Sequence, residues 1–208
     1  MSSIPITKQG RETRDRIVRA AAELIAERGA AATSLDDIRA VTGASKSQLY
    51  HYFGDKHGLV EAVVDHECAT VLGLQAHALA SVSSWEDLER WAEVMVAIME
   101  DQGARGGCPI GTLASALADT DEELRTSLSD AFRAWSDAIR GALVRLSEGG
   151  LIAADSDLDA LTTITLSAIQ GGLLLTKTSR DVGQLRIALD GAIAQLRAHA
   201  PGGRARRR

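Results

Sequence analysis

Residues 33–60 read TSLDDIRAVTGASKSQLYHYFGDKHGLV, and the order of residues in this segment is the clearest structural signal in the chain. Ser34 and Ser45 each precede a short run with apolar residues at helical spacing, and serine is among the preferred residues at a helix N-cap. Gly43 stands between the two runs and can adopt the positive φ of a tight turn without a steric penalty. The pattern predicts two short helices joined by a turn of about three residues. They cover residues 35–41 and 45–53.

Another helix is predicted before this stretch, over residues 11–28. Ile17 and Leu24 belong to its apolar face, and Gly29 is positioned to end it. Three helices within about 45 residues, with a tight turn before the last, describe a helix-turn-helix unit. A fourth helix is predicted over residues 56–80.

This block resembles the DNA-binding domain of the TetR family of repressors. The resemblance is strong over residues 11–60, and beyond them it consists only of the helical character of the chain. Its position near the N-terminus and the total length of 208 residues also fit the family. The matching residues are Thr33, Ile38, Gly43, Ser45, Leu49, Tyr50, Tyr52, Phe53, Lys56 and Leu59.

Five positions depart from the family pattern. Arg39 and Thr42 stand where the family usually has alanine, and Ser47 stands where glycine is common. His57 and Gly58 occupy positions that are usually acidic. These departures concern the individual DNA contacts and not the presence of the module.

The resemblance implies that the third helix is the recognition helix, whose first turn faces the major groove. Gln48 there has the chemistry to pair with an adenine edge, and Lys46 with guanine O6 and N7 or with a phosphate. The resemblance assigns Tyr50 and Lys56 to phosphates and His51 to the DNA backbone. The predicted DNA contacts are Thr33, Ser45, Lys46, Ser47, Gln48, Tyr50, His51 and Lys56. Arg11 and Arg14 are further candidates for backbone contacts.

Each of these residues also has an ordinary structural alternative. Ser45 can serve only as an N-cap, which leaves its backbone N–H for a phosphate. His51 and Lys56 can be plain solvated side chains, and Tyr50 can belong to the core as Phe53 is predicted to do.

The rest of the chain is predicted to be helical as well. Ser84 with Asp87, and Thr120 with Glu123, have the spacing of N-terminal capping pairs. The predicted helices cover residues 85–102, 109–118, 120–147, 157–179 and 181–199. The fold class is therefore all-α, with an N-terminal three-helix DNA-binding domain and a C-terminal helical domain for ligand binding and dimerisation. The predicted divisions are residues 1–54 for DNA binding, 55–200 for effector binding and dimerisation, and 201–208 for a disordered basic tail.

The last two long helices are the best candidates for a dimer interface. Members of the family usually bind near-palindromic operators as two-fold dimers, so the resemblance implies a homodimer. The alternative is that the apolar stripes of these helices only close the core of one protomer. The stripes are Leu158, Leu161, Ile164, Thr165, Ala168, Gly172 and Leu175 in one helix, and Leu185, Ile187, Ala188, Ala192, Ile193 and Leu196 in the other.

Bulky apolar residues in the middle helices predict a pocket for a small effector. No strongly charged cluster accompanies them, which favours an apolar, weakly polar or reactive molecule. Ordinary core packing is the alternative for each residue. The predicted pocket residues are Trp91, Met95, Met99, Cys108, Trp135, Ile139 and Lys177.

Cys108 has a second interpretation within this set. If Pro109 is the first helical residue, Cys108 is the N-cap, where the free N–H groups and the helix dipole favour a thiolate. The segment is also similar to a subgroup of TetR-like regulators with a cysteine at this point, some of which respond to electrophiles or oxidants. In that subgroup a lysine of the penultimate helix can lie near the cysteine, and Lys177 is the matching residue. The alternative is a buried, inert cysteine.

Composition and charge exclude several other classes. Only 3% of residues are aromatic, and no stretch approaches about 20 uninterrupted apolar residues, so neither a β-barrel nor a membrane span is expected. Two cysteines and the absence of an apolar leader predict a cytoplasmic protein. The five histidines and two cysteines form no catalytic or metal motif, so no enzyme, cofactor or metal is predicted.

Charge separates the first 60 residues from the rest of the chain. They hold nine basic and seven acidic residues, whereas residues 61–203 hold 10 and 21. The more basic segment, residues 1–60, is better suited to bind a polyanion than the acidic remainder of the chain is. The predicted function is an effector-responsive regulator, most readily a repressor that leaves a palindromic DNA operator when its effector binds. A helical protein-interaction bundle is the alternative, but it does not explain the ordered block from Thr33 to Leu59.

Overall fold

The computed structural model describes residues 7–202. Regular structure in that range is helical throughout, which confirms the all-α prediction. The arginines of the predicted basic tail, at 204–208, lie outside the described residues. The helices are α1 (Lys8–Arg28), α2 (Leu35–Thr42), α3 (Lys46–Phe53), α4 (Lys56–Ala80), α5 (Trp85–Asp101), α6 (Pro109–Leu117), α7 (Glu122–Glu148), α8 (Leu158–Ser179) and α9 (Gly183–Arg197).

The predicted caps of α2 and α3 are confirmed. Ser34 Oγ accepts the N–H of Asp37 at 3.1 Å, and the carboxylate of Asp37 accepts the N–H of Ser34 at 2.9 Å. Ser45 forms the equivalent capping box at the start of α3. Gly43 takes the left-handed conformation, with φ of 67°, and its N–H donates to the carbonyl of Arg39. Local hydrogen bonds of this kind define the turn between the two helices.

The start of α7 differs from the prediction. Thr120 is not the N-cap, because its N–H and its hydroxyl both donate to the carbonyl of Leu117 in the turn that closes α6. The N–H of Asp121 also donates to this carbonyl, but its side chain is available as the cap, and its Oδ1 accepts the N–H of Leu124 at 3.0 Å. Helix α7 therefore begins one residue later than a cap at Thr120 would allow.

Helix α9 also begins later than predicted, at Gly183 instead of Asp181. The Asp181 carboxylate accepts the N–H of Gly183 at 2.9 Å, which forms a local turn that delays the helix. Helix α1 begins earlier, at Lys8, because Thr7 acts as its N-cap and accepts the N–H of Gly10.

The chain forms two compact units. The first contains the chain up to Val71 together with Thr112–Asp130, and the second contains Leu72–Gly111 together with the chain from Ala131 onwards. Helices α4, α6 and α7 each begin in one unit and end in the other.

The first unit holds the helix-turn-helix in a shared core. Ile17 of α1, Ile38 of α2 and Leu49 of α3 are each at most 1% exposed. The Arg16 guanidinium of α1 donates to the carbonyl of Thr42 at the end of α2. Apolar burial thus fixes α3 against α1 and α2 and leaves its opposite side in solvent.

In the second unit α8 packs closely against α9. A Cβ added at Gly172 would lie 2.9 Å from Ala188 Cβ and 3.0 Å from Leu185 Cδ1, so only glycine permits this approach. The Thr176 hydroxyl accepts the N–H of Leu185 in the same contact. Small residues therefore bring the two backbones together within one protomer.

Part of the predicted dimer stripe belongs to this internal contact. Leu161, Thr165 and Gly172 are buried against the protomer's own core, as the alternative interpretation held. A different face of the two helices remains open, because the pattern of apolar residues in α8 is wide enough to serve two neighbours. The large side chains of that face, which we call the open face, are Ile164, Leu174, Leu175 and Ile187.

Among the described helices, α8 alone is long and apolar enough to reach across a membrane. Its most apolar window has a mean hydropathy of 1.4, and 33% of that window is buried. Core helices of soluble proteins also pass a test of length and composition, so this observation is weak evidence for a membrane span.

Candidate functional site

The first turn of α3 presents a small polar surface. Ser45, Lys46, Ser47 and Gln48 are all exposed. Ser45 Oγ accepts the N–H of Gln48, and Gln48 Oε1 accepts the N–H of Ser45 at 2.9 Å. Lys46 and Ser47 take no part in this capping box.

The cap changes what Gln48 can do. Bidentate pairing with adenine needs both the amide oxygen and the amide nitrogen of glutamine. In this structure the oxygen already accepts the N–H of Ser45, which orients the amide towards the cap, so pairing with adenine requires this oxygen to accept a second hydrogen bond or the cap to open. Sequence reasoning missed this point, although the spacing of a serine and a glutamine three residues later was a signal for it.

The aromatic residues of α3 separate into exposed and buried members. Tyr50 is 49% exposed, and Lys46 Nζ lies 5.8 Å from the centre of its ring. His51 is also exposed. Tyr52 and Phe53 are buried, which confirms the core role predicted for Phe53. The structure therefore groups Lys46, Tyr50 and His51 on the solvent side of α3.

Two other residues that were predicted to contact DNA form hydrogen bonds within the protein. Thr33 is 5% exposed, and its hydroxyl donates to the carbonyl of Gly29 at 2.9 Å. Lys56 Nζ donates to the carbonyl of Ala31 at 3.1 Å. Both side chains therefore stabilise the connection between α1 and α2, and the ammonium group of Lys56 keeps two further N–H donors for a phosphate.

Most residues of the predicted effector pocket are well buried. Trp91, Met95 and Met99 of α5 and Trp135 and Ile139 of α7 are between 2% and 6% exposed. All of them belong to the second unit. Burial at this level is what either a closed pocket or an ordinary core requires.

Hydrogen bonding distinguishes two of the tryptophans. The indole N–H of Trp91 donates to Gln75 Oε1 at 2.9 Å, whereas Trp135 Nε1 has no partner. Two side chains of α8 also carry buried atoms without a partner, Thr162 Oγ1 and Gln170 Nε2. Buried polar groups are nearly always hydrogen-bonded, so these three atoms need an explanation.

The start of α6 confirms the predicted N-cap. Cys108 is 7% exposed, and its Sγ accepts the N–H of Gly111 at 3.3 Å. A Cβ placed on Gly111 would lie 3.8 Å from this sulfur and 2.7 Å from Gln170 Oε1. A Cβ placed on Gly107 would lie 3.3 Å from Lys177 Cδ. The structure thus brings the Cys108 segment against the face of α8 that carries Gln170 and Lys177.

The loop before α6 has an unusual backbone. Ala104 adopts a φ of 55°, although it is not glycine, and its carbonyl accepts a hydrogen bond from Arg180 Nη1 at 3.2 Å. Arg180, which ends α8, also has a positive φ of 57°. Positive φ values in residues other than glycine are uncommon and cluster where tertiary contacts hold a loop in place.

A separate cavity of about 190 Å³ lies in the second unit. Its wall comes from the loop between α7 and α8 and from the end of α9. Residues predicted for the effector pocket take no part in it. The lining residues are Ala153, Asp155, Ser156, Ala198, His199, Ala200 and Gly202.

Comparison with known proteins identifies the family to which this architecture belongs. Residues 17–63 match the sequence profile of the bacterial regulatory proteins of the tetR family, and residues 84–191 match that of the LmrA/YxaF-like transcriptional regulator C-terminal domain. The chain belongs to the TetR family of transcriptional regulators. This membership confirms the resemblance and the prediction that the chain is not an enzyme.

Full-length relatives support the assignment. An HTH-type transcriptional regulator from the lacX 3′ region of Lactococcus lactis subsp. lactis is 32% identical over 185 residues, which is 86% of this chain and 91% of the relative. The HTH-type transcriptional repressor DhaR of Mycobacterium sp. (strain GP1) is 24% identical over 170 residues, covering 81% and 84%.

A crystal structure shows the same fold. The regulatory protein TetR from Rhodobacter sphaeroides superposes with a TM-score of 0.79 at 21% identity, over 88% of this chain and 97% of the other. In the present chain the helix-turn-helix lies within the residues that match the tetR-family profile, and α5 to α8 with the first part of α9 lie within the residues that match the C-terminal domain profile.

Proposed function

We propose that this regulator is a repressor that occupies a palindromic DNA operator as a homodimer and leaves it when a small effector binds. The exposed group of Lys46, Tyr50 and His51 on the recognition helix is the observation that carries the DNA-binding part. The name of its relative DhaR supports repression. Footprinting of the purified protein on the DNA upstream of its own coding sequence tests the proposal, with a protected palindrome as the expected result.

Individual contacts follow from the geometry of α3. Lys46 and Ser47 are the side chains of the first turn that lie in solvent without a capping role, so we assign them to base edges or phosphates. Tyr50 and His51 are assigned to the DNA backbone. Ser45 is left out because its hydroxyl and its N–H are both used in the capping box, and Thr33 is left out because its hydroxyl is used internally.

The homodimer is proposed to form through the open face of α8 and α9. Ile164, Leu174, Leu175 and Ile187 are between 45% and 70% exposed in the protomer. Their burial in a second copy would remove this apolar area from water, and two-fold symmetry would apply the same face twice. Family members typically act as dimers, which supports a second copy as the occupant.

The effector is proposed to occupy the core of the second unit and to be mostly apolar with at least one hydrogen-bond acceptor. Apolar side chains such as Met95 and Met99 suit an organic ligand. The indole of Trp135 is only a donor, and a buried donor without a partner costs about 1–3 kcal/mol. An acceptor oxygen on the effector would supply the missing partner of Trp135 Nε1 and of Gln170 Nε2.

The unpartnered hydroxyl of Thr162 gives a direct test. Thr162→Val is expected to leave the free energy of unfolding unchanged or slightly higher, because it removes a buried hydroxyl that bonds to nothing. Thr165→Val is the matched control, since the hydroxyl of Thr165 is equally buried and donates to the carbonyl of Leu161 at 2.8 Å; it should lower stability by about 0.5–1.5 kcal/mol. Urea unfolding measures both. Equal losses would show that Thr162 has a partner in the free protein, such as a buried water.

Cys108 is proposed as a sensing nucleophile assisted by Lys177. Its N-cap position and the contact of Lys177 with the preceding Gly107 support the assignment. Because the thiol is buried, a reagent reaches it only when the loop before α6 opens locally. The modified side chain no longer fits the space beside Gly111, which would favour a different conformation of the helices around it.

Treatment with N-ethylmaleimide is expected to lower operator affinity by about tenfold or more once Cys108 is modified, which is within the usual range of allosteric coupling. Mass spectrometry follows the modification, and fluorescence anisotropy of a labelled operator follows binding. Cys68→Ser should respond as the wild type does, whereas Cys108→Ser should not respond. Unchanged binding after complete modification, or a normal response of Cys108→Ser, would end this hypothesis.

Release from the operator is proposed to use α4. This helix starts directly after the recognition helix and continues into the second unit without a break. An effector that binds one tilt of α4 more tightly than another shifts the population of the two. A difference of about 3 kcal/mol would change operator affinity by more than about a hundredfold.

A further inference from the structure

A side-chain contact in the first unit joins two elements that are 64 residues apart in the chain. His57 Nε2 lies 2.7 Å from Asp121 Oδ2. His57 belongs to the first turn of α4, and Asp121 is the N-cap of α7, where its other oxygen accepts the N–H of Leu124. The Asp121 carboxylate therefore caps the N-terminus of α7 and also contacts the first turn of α4.

The first turn of α4 is in turn fixed to the recognition helix. A Cβ added at Gly58 would lie 2.1 Å from the carbonyl oxygen of Phe53, so the end of α3 rests directly on this turn. The N–H of Gly58 donates to Asp55 Oδ1 at 2.9 Å, and Lys56 binds the carbonyl of Ala31 before α2. A displacement of this turn must therefore move the end of α3.

Charge strengthens the contact in one protonation state of His57. The charged groups that face it are Asp121 at the start of α7 and Asp55 and Glu61 beside it in the chain, all of them acidic. The hydrogen bond with Asp121 is the largest cause that raises the pKa of His57 above its ordinary value. The pKa of Asp121 is lowered, first by the backbone N–H of Leu124 and then by His57.

We infer that the His57–Asp121 pair positions the recognition helix, so that operator affinity depends on whether His57 carries a proton. The inference rests on the proposed operator binding, because it concerns how firmly the recognition helix is positioned for contact with DNA. His57 acts through α4 and is a positioning residue that does not itself contact DNA. In the chain, Asp121 lies between α6 and α7. Helix α6 begins beside Cys108 and α7 contains Trp135, so each of the two helices connects a residue of the proposed effector site with Asp121.

The direction of the pH effect follows from the raised pKa of His57. The stabilising contribution of the charged pair is fully present below the ordinary histidine value near 6.5 and is lost as the pH rises through the higher value in the folded protein. Operator affinity of the wild type should therefore fall between about pH 6 and about pH 8, by about two- to fivefold, the range expected of a half-exposed ion pair.

Variants at His57 separate this effect from other titrations. His57→Gln should bind as weakly at the lower pH as at the higher, and His57→Lys, whose charge persists, should bind tightly at both. His77→Gln is the matched control, an exposed histidine of the same helix, and should keep the wild-type profile. All of these variants retain His51, so they differ from the wild type only at the residue that is changed. A His57→Gln profile identical to that of the wild type would overturn the inference.

A double-mutant cycle tests whether Asp121 is the partner. Asp121→Asn keeps an N-cap acceptor for Leu124 but removes the charge. The gain from His57→Lys should vanish in the Asp121→Asn background, whereas a persistent gain would mean that the added cation simply attracts DNA and would overturn the inference.

NMR titration gives a readout that needs no DNA. The pKa of His57 should be lower in Asp121→Asn than in the wild type, and amide exchange should rise at the end of α3 and the start of α4. Failure of the wild type to bind any duplex would refute the proposed function, while an unchanged His57 pKa and unchanged exchange would refute the pair on its own.

Discussion

Leu175→Asp is expected to convert the regulator into a monomer and to lower its operator affinity by about a hundredfold or more. Leu175 is 54% exposed on the open face, and two-fold symmetry would bring the aspartate into the interface twice. Desolvation of two carboxylates in an apolar contact opposes association. Each DNA-binding unit then binds one half-site alone and loses the gain in avidity that a linked pair provides, which is commonly about 10²- to 10⁴-fold.

The measurement has a matched control in the same unit. Leu74→Asp changes a leucine of α4 that is 58% exposed and lies outside the open face, so this variant should remain a dimer with normal affinity. Sedimentation velocity gives the oligomeric state, and anisotropy with a labelled operator gives the affinity. A dimeric Leu175→Asp, or a Leu74→Asp that dissociates as readily, would contradict the assignment of the interface to α8 and α9.

Replacing Lys46 by alanine and Tyr50 by phenylalanine together is expected to lower operator affinity by about a hundredfold. Each change removes a proposed contact, and contacts to bases or phosphates of this kind are worth about 1–3 kcal/mol or somewhat less. Tyr50→Phe keeps the ring beside Lys46 and removes only the hydroxyl, so stability should not change. Arg19→Ala is the control, because it removes an exposed cation of the head from α1 without touching α3.

Salt dependence shows which part of the DNA Lys46 contacts. A phosphate contact releases a counterion, so Lys46→Ala would reduce the slope of log affinity against log salt by about one. A contact to guanine would leave the slope nearly unchanged and relax the preference at one position of the operator. If the double variant binds as well as Arg19→Ala, the recognition surface has been placed on the wrong residues.

Local interactions explain why the sequence was sufficient to predict the helix-turn-helix. The caps at Ser34 and Ser45 and the turn at Gly43 depend on hydrogen bonds between residues that are three or four positions apart. Such patterns are visible in the sequence, and the resemblance to a known family added the order of the helices. The same reasoning misplaced the cap of α7, because Thr120 was already committed to the turn that closes α6.

The effector region was less accessible to sequence reasoning. Apolar residues at helical spacing identify a buried face but not what covers it. Met95 and Ile139 therefore fit the same sequence pattern whether they line a pocket or pack in an ordinary core. Partnerless atoms such as Trp135 Nε1 become visible only when every neighbour is in place. The N-cap position of Cys108 was predictable because it depends on the proline that follows it.

Periodicity, caps and a glycine, all within a few residues of one another, were enough to predict the all-helical fold and the helix-turn-helix, and the resemblance of residues 33–60 to a known pattern indicated the family. The face of α8 that α9 buries, the face that stays open and the contact between His57 and Asp121 became visible only in the folded protein. Those outcomes depend on residues from distant parts of the chain, and a helix with two apolar faces does not specify which of them its neighbour will cover.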